Sequence, residues 1–377
     1  MPVHEYELKP SRIYINQPPA IHRGYKTWDY ALDITMNDSD DINWPVGSTI
    51  DDIGPVWYLS YFSLVPGVIA GFLANILFIV VSQEVFNHRP TIPNLLFKYL
   101  ACVDVLNCCF GLVPIILAHH LRIFTKEVCA FHGTVLTALS VESQMIVALM
   151  STERYLSLIH PFFYSEHLAD NHRKIIIGLH GLFFYAAVSA GLPLFGLNRN
   201  VPHPPDSYCM FDWADQTPKG RLVVYLNLLN IFLCLLIIVV MNGVVGVYMY
   251  RSKKLRPQPP GSETRTEHEQ SVESHDRKLQ LQMTKLTLVV AVVFFCCWFL
   301  FALRIFTNQL EVWTNDSIDW LAFCLMTLNS VINPFLYVIM WKPYRKGCWM
   351  LLKTCLHYIT CTLVKRPTKS LSQTVVA

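Results

Sequence analysis

Three polar clusters of this chain lie inside long apolar runs, where charged and amide side chains are costly. They are Asp104 in the run 100–106, the triplet Glu153-Arg154-Tyr155, and the stretch Asn333–Tyr337. A carboxylate in such surroundings can hold a proton or a hard cation, and an arginine beside a glutamate forms a charge-assisted pair. The clusters therefore mark candidate functional groups that face the interior of an apolar protein.

Hydrophobic helices must position these clusters. The 377 residues are 53% hydrophobic and 15% charged, with a mean hydropathy of +0.35, whereas soluble domains carry roughly 25% charged residues. A run of about 20 apolar residues spans a bilayer as a helix. We predict an all-α membrane protein, a seven-transmembrane helix bundle over 57–341 with a short amphipathic eighth helix. The predicted spans are 57–82, 95–120, 127–158, 173–197, 221–250, 281–306 and 319–341.

The basic residues predict the orientation, because cytoplasmic loops are enriched in Lys and Arg. One set of loops carries most of them and the opposite set is acidic. We expect a multi-pass plasma-membrane protein with an extracellular N-terminus and a cytoplasmic C-terminus. The first 20 residues lack the pattern of a cleaved signal peptide. The net charge of +3 does not suggest nucleic-acid binding.

Three polar segments flank or interrupt the helices. Residues 1–56 are predicted to be a flexible extracellular segment, and 251–278 a disordered third intracellular loop. Residues 342–377 are predicted to be an amphipathic helix on the membrane surface, followed by a cytoplasmic tail. Cys355 and Cys361 are candidates for palmitoylation, with free thiols as an equal alternative.

Two of the twelve cysteines lie where a disulfide can persist. Cys129 begins the third span and Cys209 lies in the loop after the fourth, both on the predicted outer side. A bond between them would pin that loop over the mouth of the bundle, and two unrelated thiols are the alternative. Two Asn-X-Ser triplets, at Asn37 and Asn315, also fall on the outer side and predict glycosylation.

The order of the three clusters, on spans two, three and seven, resembles that of the rhodopsin-like G-protein-coupled receptors. Cys129 and Arg154 are 25 residues apart, about 37 Å along a helix, so one helix places them at opposite faces. The resemblance implies that Glu153 holds Arg154 at rest and that activation releases Arg154 to contact a heterotrimeric G protein. An arginine that merely snorkels to water is the alternative. The resemblance assigns coupling and activation to Glu153, Arg154, Tyr155, Phe294, Trp298, Asn333, Pro334 and Tyr337.

The resemblance also implies a sodium pocket. Asp104, Ser143, Asn329 and Asn333 match the ligands of the family residue by residue, and such oxygen atoms suit a hard cation. We predict that an allosteric sodium ion binds there and favours the inactive state. No other cofactor is expected.

The sixth span departs from the family pattern. Leu300 stands where proline is usual, and Gln280 stands where an acid often pairs with the arginine of the third span, so no ionic lock between these helices is expected. Glu142 in the third span has two interpretations. It is either an inward-facing ligand group or a structural group paired with the fourth span, for example with His180.

Four stretches resemble the prostanoid receptors, especially the prostaglandin E subtypes that raise cyclic AMP. They are 153–165, 192–197, 205–213 and 303–310. The resemblance implies an extracellular ligand that is a lipid or a small amphipathic molecule, together with membrane lipids as surroundings.

The expected ligand residues depart from that pattern at one position. Ser207 and Thr327 match the hydroxyls of the prostanoid receptors, but Cys324 replaces the arginine that holds the ligand carboxylate. Arg304, near the predicted outer rim, is the candidate replacement. Opsins need a lysine where this chain has Thr327, so retinal is not expected.

Other functional classes fit less well. A membrane transporter would show paired broken helices and repeated halves, and the sequence has neither. An enzyme would need a clustered catalytic set, and the adjacent His119 and His120 point in different directions. Within the receptor class, an orphan or peptide receptor is the alternative.

Overall fold

The computed structural model describes residues 54–86, 91–114, 125–169, 171–203, 208–254 and 267–360. Seven of the helices in this part of the chain are long and apolar enough to cross a membrane. The long helices are α1 Gly54–Phe86, α2 Ile92–Leu106, α3 Lys126–Ile159, α4 His172–Gly191, α5 Pro218–Lys254, α6 Glu267–Gln309, α7 Asp316–Met340 and α8 Lys342–Thr360.

The seven predicted spans are confirmed as α1–α7, but two helices run past their apolar segments. α5 continues to Lys254 and α6 already begins at Glu267. The predicted loop over 251–278 is therefore wrong at both of its ends, and 255–266 lie outside the described residues. Hydropathy marks only the part of a helix that suits lipid, whereas Glu, Gln, Lys and Arg are good helix formers in water.

The predicted amphipathic helix is confirmed as α8 and is longer than expected. It begins directly after Trp341, whose backbone is extended. The buried ring of Tyr344 lies 5.0 Å from the ring of Phe78 in α1. This contact fixes the start of α8 against the bundle.

α3 is the central helix of the bundle and α4 a peripheral one. In their most apolar windows, 72% of α3 is buried but only 22% of α4. α3 packs against α2, α4, α5 and the strand that follows α4. The polar side chains of α3 therefore face other protein groups rather than lipid.

A two-stranded antiparallel sheet lies after α4. Strand β1 is Asn200–His203 and strand β2 is Tyr208–Phe211. The predicted disulfide is confirmed, because Cys209 of β2 is bonded to Cys129 in the first turn of α3. We call this end of the bundle the disulfide end and the opposite end, which carries Arg154, the arginine end.

His132 adds a second connection at the disulfide end, which the sequence did not indicate. Its Nδ1 accepts a hydrogen bond from the backbone N–H of Cys209 (3.1 Å), and its Nε2 donates to the carbonyl of Gly111 (2.8 Å). The first bond needs an unprotonated Nδ1, so the ring is neutral. Gly111 belongs to a π-helical stretch, Asn107–Leu112, that continues α2. A π-helical turn shifts the register of a helix, which single-residue preferences do not encode.

Candidate functional site

The arginine end contains a buried ion pair between neighbouring residues of α3. Nε and Nη2 of Arg154 donate to the two carboxylate oxygens of Glu153, at 2.6 and 3.0 Å. Both side chains are buried. A two-bond pair of this kind is stronger than a neutral hydrogen bond and fixes the direction of the guanidinium.

Tyr164 is a third member of this group, and the sequence did not indicate it. Its hydroxyl donates to the Glu153 carboxylate at 2.7 Å. The helical turn Pro161–Tyr164 follows α3 directly and returns the ring to the pair. Burial, together with the neighbouring carboxylate, raises the pKa of Tyr164 above its usual value, so the phenol stays a donor. Tyr155 points elsewhere, because its hydroxyl contacts Nε2 of His160 at 3.0 Å.

The four predicted sodium ligands lie in two hydrogen-bonded pairs. Nδ2 of Asn333 donates to Asp104 at 2.9 Å, and Nδ2 of Asn329 reaches the Ser143 hydroxyl at 3.4 Å. Asn329 and Asn333 are one turn apart on α7, so the pairs are neighbours. The structure thus brings α2, α3 and α7 together through the residues that the sequence singled out.

Further amides surround these pairs. Nδ2 of Asn75 donates to the carbonyl of Ser330 (3.0 Å), and Nδ2 of Asn107 donates to the hydroxyl of the same residue (2.9 Å). Acceptor oxygens in this region are left over: Oδ1 of Asp104, of Asn329 and of Asn333 are buried without a hydrogen-bond partner among the described residues. Unsatisfied oxygens on a carboxylate and two amides fit a hard cation, whose charge would offset that of Asp104.

Trp298 and Phe294 lie stacked in α6, with ring centroids 5.8 Å apart, and both are buried. Trp298 also contacts the edge of Phe301, at 5.8 Å. Beside these rings lies a small cavity between α3, α5, α6 and β2, lined in part by Thr137, Gln144, Phe211, Asn227 and Ile231. Its free volume of about 10 Å³ holds roughly one water, so a ligand there requires the helices or the sheet to move apart.

Tyr337 closes the predicted group on α7. Its ring is fully buried, 4.5 Å from Phe78 and 5.1 Å from Phe97. Its hydroxyl has no hydrogen-bond partner in the part of the chain that the structure describes. Pro334 lies inside the same helix, where it removes a backbone donor. A buried hydroxyl without a partner is unfavourable, so the packing around this ring is not optimal for a tyrosine.

The described ligand residues, Arg304 and Thr327, each form hydrogen bonds with other groups of the protein. Arg304 lies near the end of α6 but is buried, with 1% of its side chain exposed, and its Nε donates to Asp319 of α7 at 2.6 Å. The hydroxyl of Thr327 donates to the carbonyl of Cys324 at 2.9 Å. Ser207 lies outside the described residues. The sequence did not indicate Asp319, because nothing local distinguishes it from other acids near a helix start.

Glu142 does not pair with His180. His180 is exposed and bonds the carbonyl of Ile176 in its own helix, at 2.7 Å. Both oxygens of Glu142 are buried, and no described residue forms a hydrogen bond with them. The predicted pairing is wrong because α4 turns that face outward.

The predicted modification sites are only partly covered. Asn315 is exposed and caps α7, its side-chain oxygen accepting from the N–H of Ile318 at 3.0 Å. Cys355 lies within α8. Asn37 and Cys361 lie outside the described residues.

Comparison with known proteins identifies the class. The model of the 7 transmembrane receptor (rhodopsin family) matches residues 74–337. Squid rhodopsin has a similar structure, with a TM-score of 0.65 at 17% identity over 85% of this chain and 92% of that chain. The chain belongs to the rhodopsin family of seven-transmembrane receptors, and the resemblance inferred from its sequence is confirmed.

Prostanoid receptors are among the similar proteins. The prostacyclin receptor of Bos taurus is 24% identical over 342 residues, covering 86% of this chain and 80% of the relative. The prostaglandin E2 receptor EP2 subtype of Rattus norvegicus is 26% identical over 270 residues, covering 66% and 71%.

Proposed function

We propose that this receptor binds an extracellular lipid or small amphipathic ligand of prostaglandin-like chemistry and activates a heterotrimeric G protein, raising cyclic AMP. The buried Glu153–Arg154 pair at the arginine end carries the proposal. Because Arg154 is held by a neighbour on its own helix, its guanidinium can be released to bind the G protein without separating two helices. The N-terminus is then extracellular, and Arg154 faces the cytoplasm.

Activation is a shift between two arrangements of the bundle rather than a new chemistry. In the proposed active state the Arg154 guanidinium leaves Glu153, and the Tyr164 hydrogen bond that helps to hold the resting carboxylate is lost. Trp298 and Phe294 respond to ligand beside the small cavity, and Tyr337 moves from between Phe78 and Phe97.

The test is agonist-driven cyclic AMP in cells that express the chain, using prostaglandin E2, a prostacyclin analogue and related fatty-acid mediators. We expect Arg154→Ala to abolish the agonist-dependent rise while surface expression persists. Arg173→Ala, which removes an exposed arginine near the start of α4, is the matched control. An unchanged response in Arg154→Ala contradicts the proposal.

Sodium is proposed as an allosteric ligand of Asp104, Ser143, Asn329 and Asn333, stabilising the inactive state. The unsatisfied oxygens of this group support the proposal. Agonist affinity should fall when sodium replaces a large organic cation, and Asp104→Asn should remove that dependence. Equal affinities with and without sodium in the unaltered receptor exclude a coupled site.

Glycosylation at Asn315 and Asn37 and palmitoylation at Cys355 and Cys361 are proposed as well. The exposure of Asn315 supports the first. A mobility shift on glycosidase treatment that Asn315→Gln reduces, and thioester labelling that Cys355→Ser reduces, test them.

A further inference from the structure

Arg304 has a chemically incomplete environment. The guanidinium is 1% exposed, and within the described part of the chain only its Nε has a hydrogen-bond partner, the Asp319 carboxylate. Nη1 and Nη2 are both buried, with no partner among those same residues. Charged donors left unsatisfied in an apolar interior are strongly unfavourable, so this edge of the side chain is built to meet an acceptor.

The geometry shows which edge is available. Asp319 takes the Nε side and fixes the plane of the guanidinium, and its Oδ1 also accepts from Asn308 at 2.9 Å. The remaining edge presents Nη1 and Nη2 in parallel, which is the fork that matches the two oxygens of a carboxylate.

One aromatic ring lies against the arginine, and a cluster of rings begins at the residue that follows Asp319. The ring of Trp313 covers one face of the guanidinium at 4.8 Å. Trp320 follows Asp319 on α7 and packs 5.7 Å from Phe323, which stacks on Tyr208 of β2 at 3.6 Å. A hydrocarbon chain attached to a charged group that binds here therefore has the Trp313 ring to pack against.

We propose that the Nη1–Nη2 edge of Arg304 binds the carboxylate of an amphipathic ligand at the disulfide end. This inference rests on the proposed function, because it assigns a chemical class to the ligand of that receptor. Asp319 is the positioning residue that aims the fork, and it also reduces the net charge that the ligand meets.

A purely structural role would give a different pattern of effects. If the Arg304–Asp319 pair only joins α6 to α7, loss of either partner has the same consequence. If Arg304 binds an anion, Arg304→Gln removes the site, whereas Asp319→Asn keeps an acceptor for Nε and removes a competing negative charge. The two variants then act in opposite directions on an anionic ligand.

The experiment measures ligand-dependent thermal stabilisation of the purified full-length receptor by oxygenated C20 fatty acids and by their methyl esters. Each pair shares one apolar body, so the ratio of their dissociation constants isolates the carboxylate. We expect acids to bind about 10- to 100-fold more tightly than esters. Arg304→Gln should bring the ratio to about 1, and Asp319→Asn should keep or raise it. Arg199→Gln, at an exposed arginine paired with Asp212, is the control.

Several outcomes overturn the proposal: a ratio near 1 in the unaltered receptor, no binding by any acid, or equal losses in Arg304→Gln and Asp319→Asn. If Arg304→Gln does not fold, the ratio in the unaltered receptor and in Asp319→Asn decides. GTP turnover separates the two proposals. Equal activation by acids and esters supports the receptor function and rejects the anion site. Selective binding of acids without any G-protein turnover supports the anion site and rejects the receptor function.

Discussion

At the disulfide end, covalent and polar contacts join separate elements, whereas at the arginine end the ion pair lies within one helix. Cys209 is bonded to Cys129, and Arg304 of α6 is paired with Asp319 of α7. At the arginine end, Glu153 and Arg154 are adjacent residues of α3.

This difference decides which end of the bundle opens more readily. Separating α6 from α7 at the disulfide end breaks a buried ion pair, which is strongly unfavourable once one partner is left alone. Rearranging the Arg154 pair separates no two helices, because both partners move with α3. Conformational change is therefore expected at the arginine end, and the proposed ligand site lies at the disulfide end.

Loss of the disulfide is the largest expected effect. Cys209→Ala opens a link between residues 80 positions apart and should lower the free energy of unfolding by about 2–5 kcal/mol. Thermal melting of the receptor in detergent measures it. Cys102→Ala, at an exposed free thiol, is the control. Similar losses of unfolding free energy in both variants would show that the stability of the disulfide end does not depend on this bond.

Replacement of His132 should cause the next largest loss of stability. His132→Phe leaves the Gly111 carbonyl and the Cys209 N–H buried without their partner, at a cost of about 2–4 kcal/mol. The same melting measurement applies, with His180→Phe as an exposed histidine control. If the two variants melt alike, the π-helical stretch of α2 is not held through His132.

Acid should loosen the sheet at the disulfide end. Burial lowers the pKa of His203 to about 4, although the negative charge of Asp212 acts in the opposite direction. A histidine in the unfolded chain has a pKa near 6.5. A lowered pKa in the folded state means that full stability holds above about pH 6.5 and is lost as the pH falls toward 4, by at most about 3 kcal/mol.

Hydrogen exchange of the β1 and β2 amides between pH 7 and 4 measures this loss. His203→Gln can still donate to the Phe211 carbonyl that Nε2 contacts at 3.2 Å, and it does not titrate. The pH dependence should therefore weaken in that variant. An unchanged dependence would assign the effect to another group.

The smallest expected effect is at the arginine end. Tyr164→Phe removes the 2.7 Å hydrogen bond to the charged carboxylate of Glu153, worth about 1.5 kcal/mol. If the proposed function holds, basal GTP turnover should rise about 2- to 10-fold, because the resting pair is less well held. Tyr185→Phe, at an exposed tyrosine of α4, is the control. Unchanged turnover would mean that Tyr164 does not stabilise the resting state.

Part of the site follows from the sequence because its members occupy fixed positions on long helices. The resemblance to the receptor family groups Asp104 with Asn333, and their side chains meet at 2.9 Å. The sequence does not reveal Tyr164, His132 or Asp319, since each finds its partner across a turn or in a neighbouring element. The predicted pairing of Glu142 with His180 is wrong, because the sequence of α4 does not predict how that helix is rotated about its axis.

The sequence by itself determined seven helices and their approximate limits, because hydropathy is a property of each segment alone. It made Cys129 and Cys209 candidates for a disulfide, and the tertiary structure decided that they are bonded. Only the tertiary structure decided which group each buried polar side chain meets. That choice depends on how neighbouring helices rotate, bend and shift in register, and the π-helical stretch at Asn107–Leu112 alters that register directly after α2. The capacity to span a membrane is thus a local consequence of composition, whereas the pairing of Arg304 with Asp319 is a property of the whole bundle.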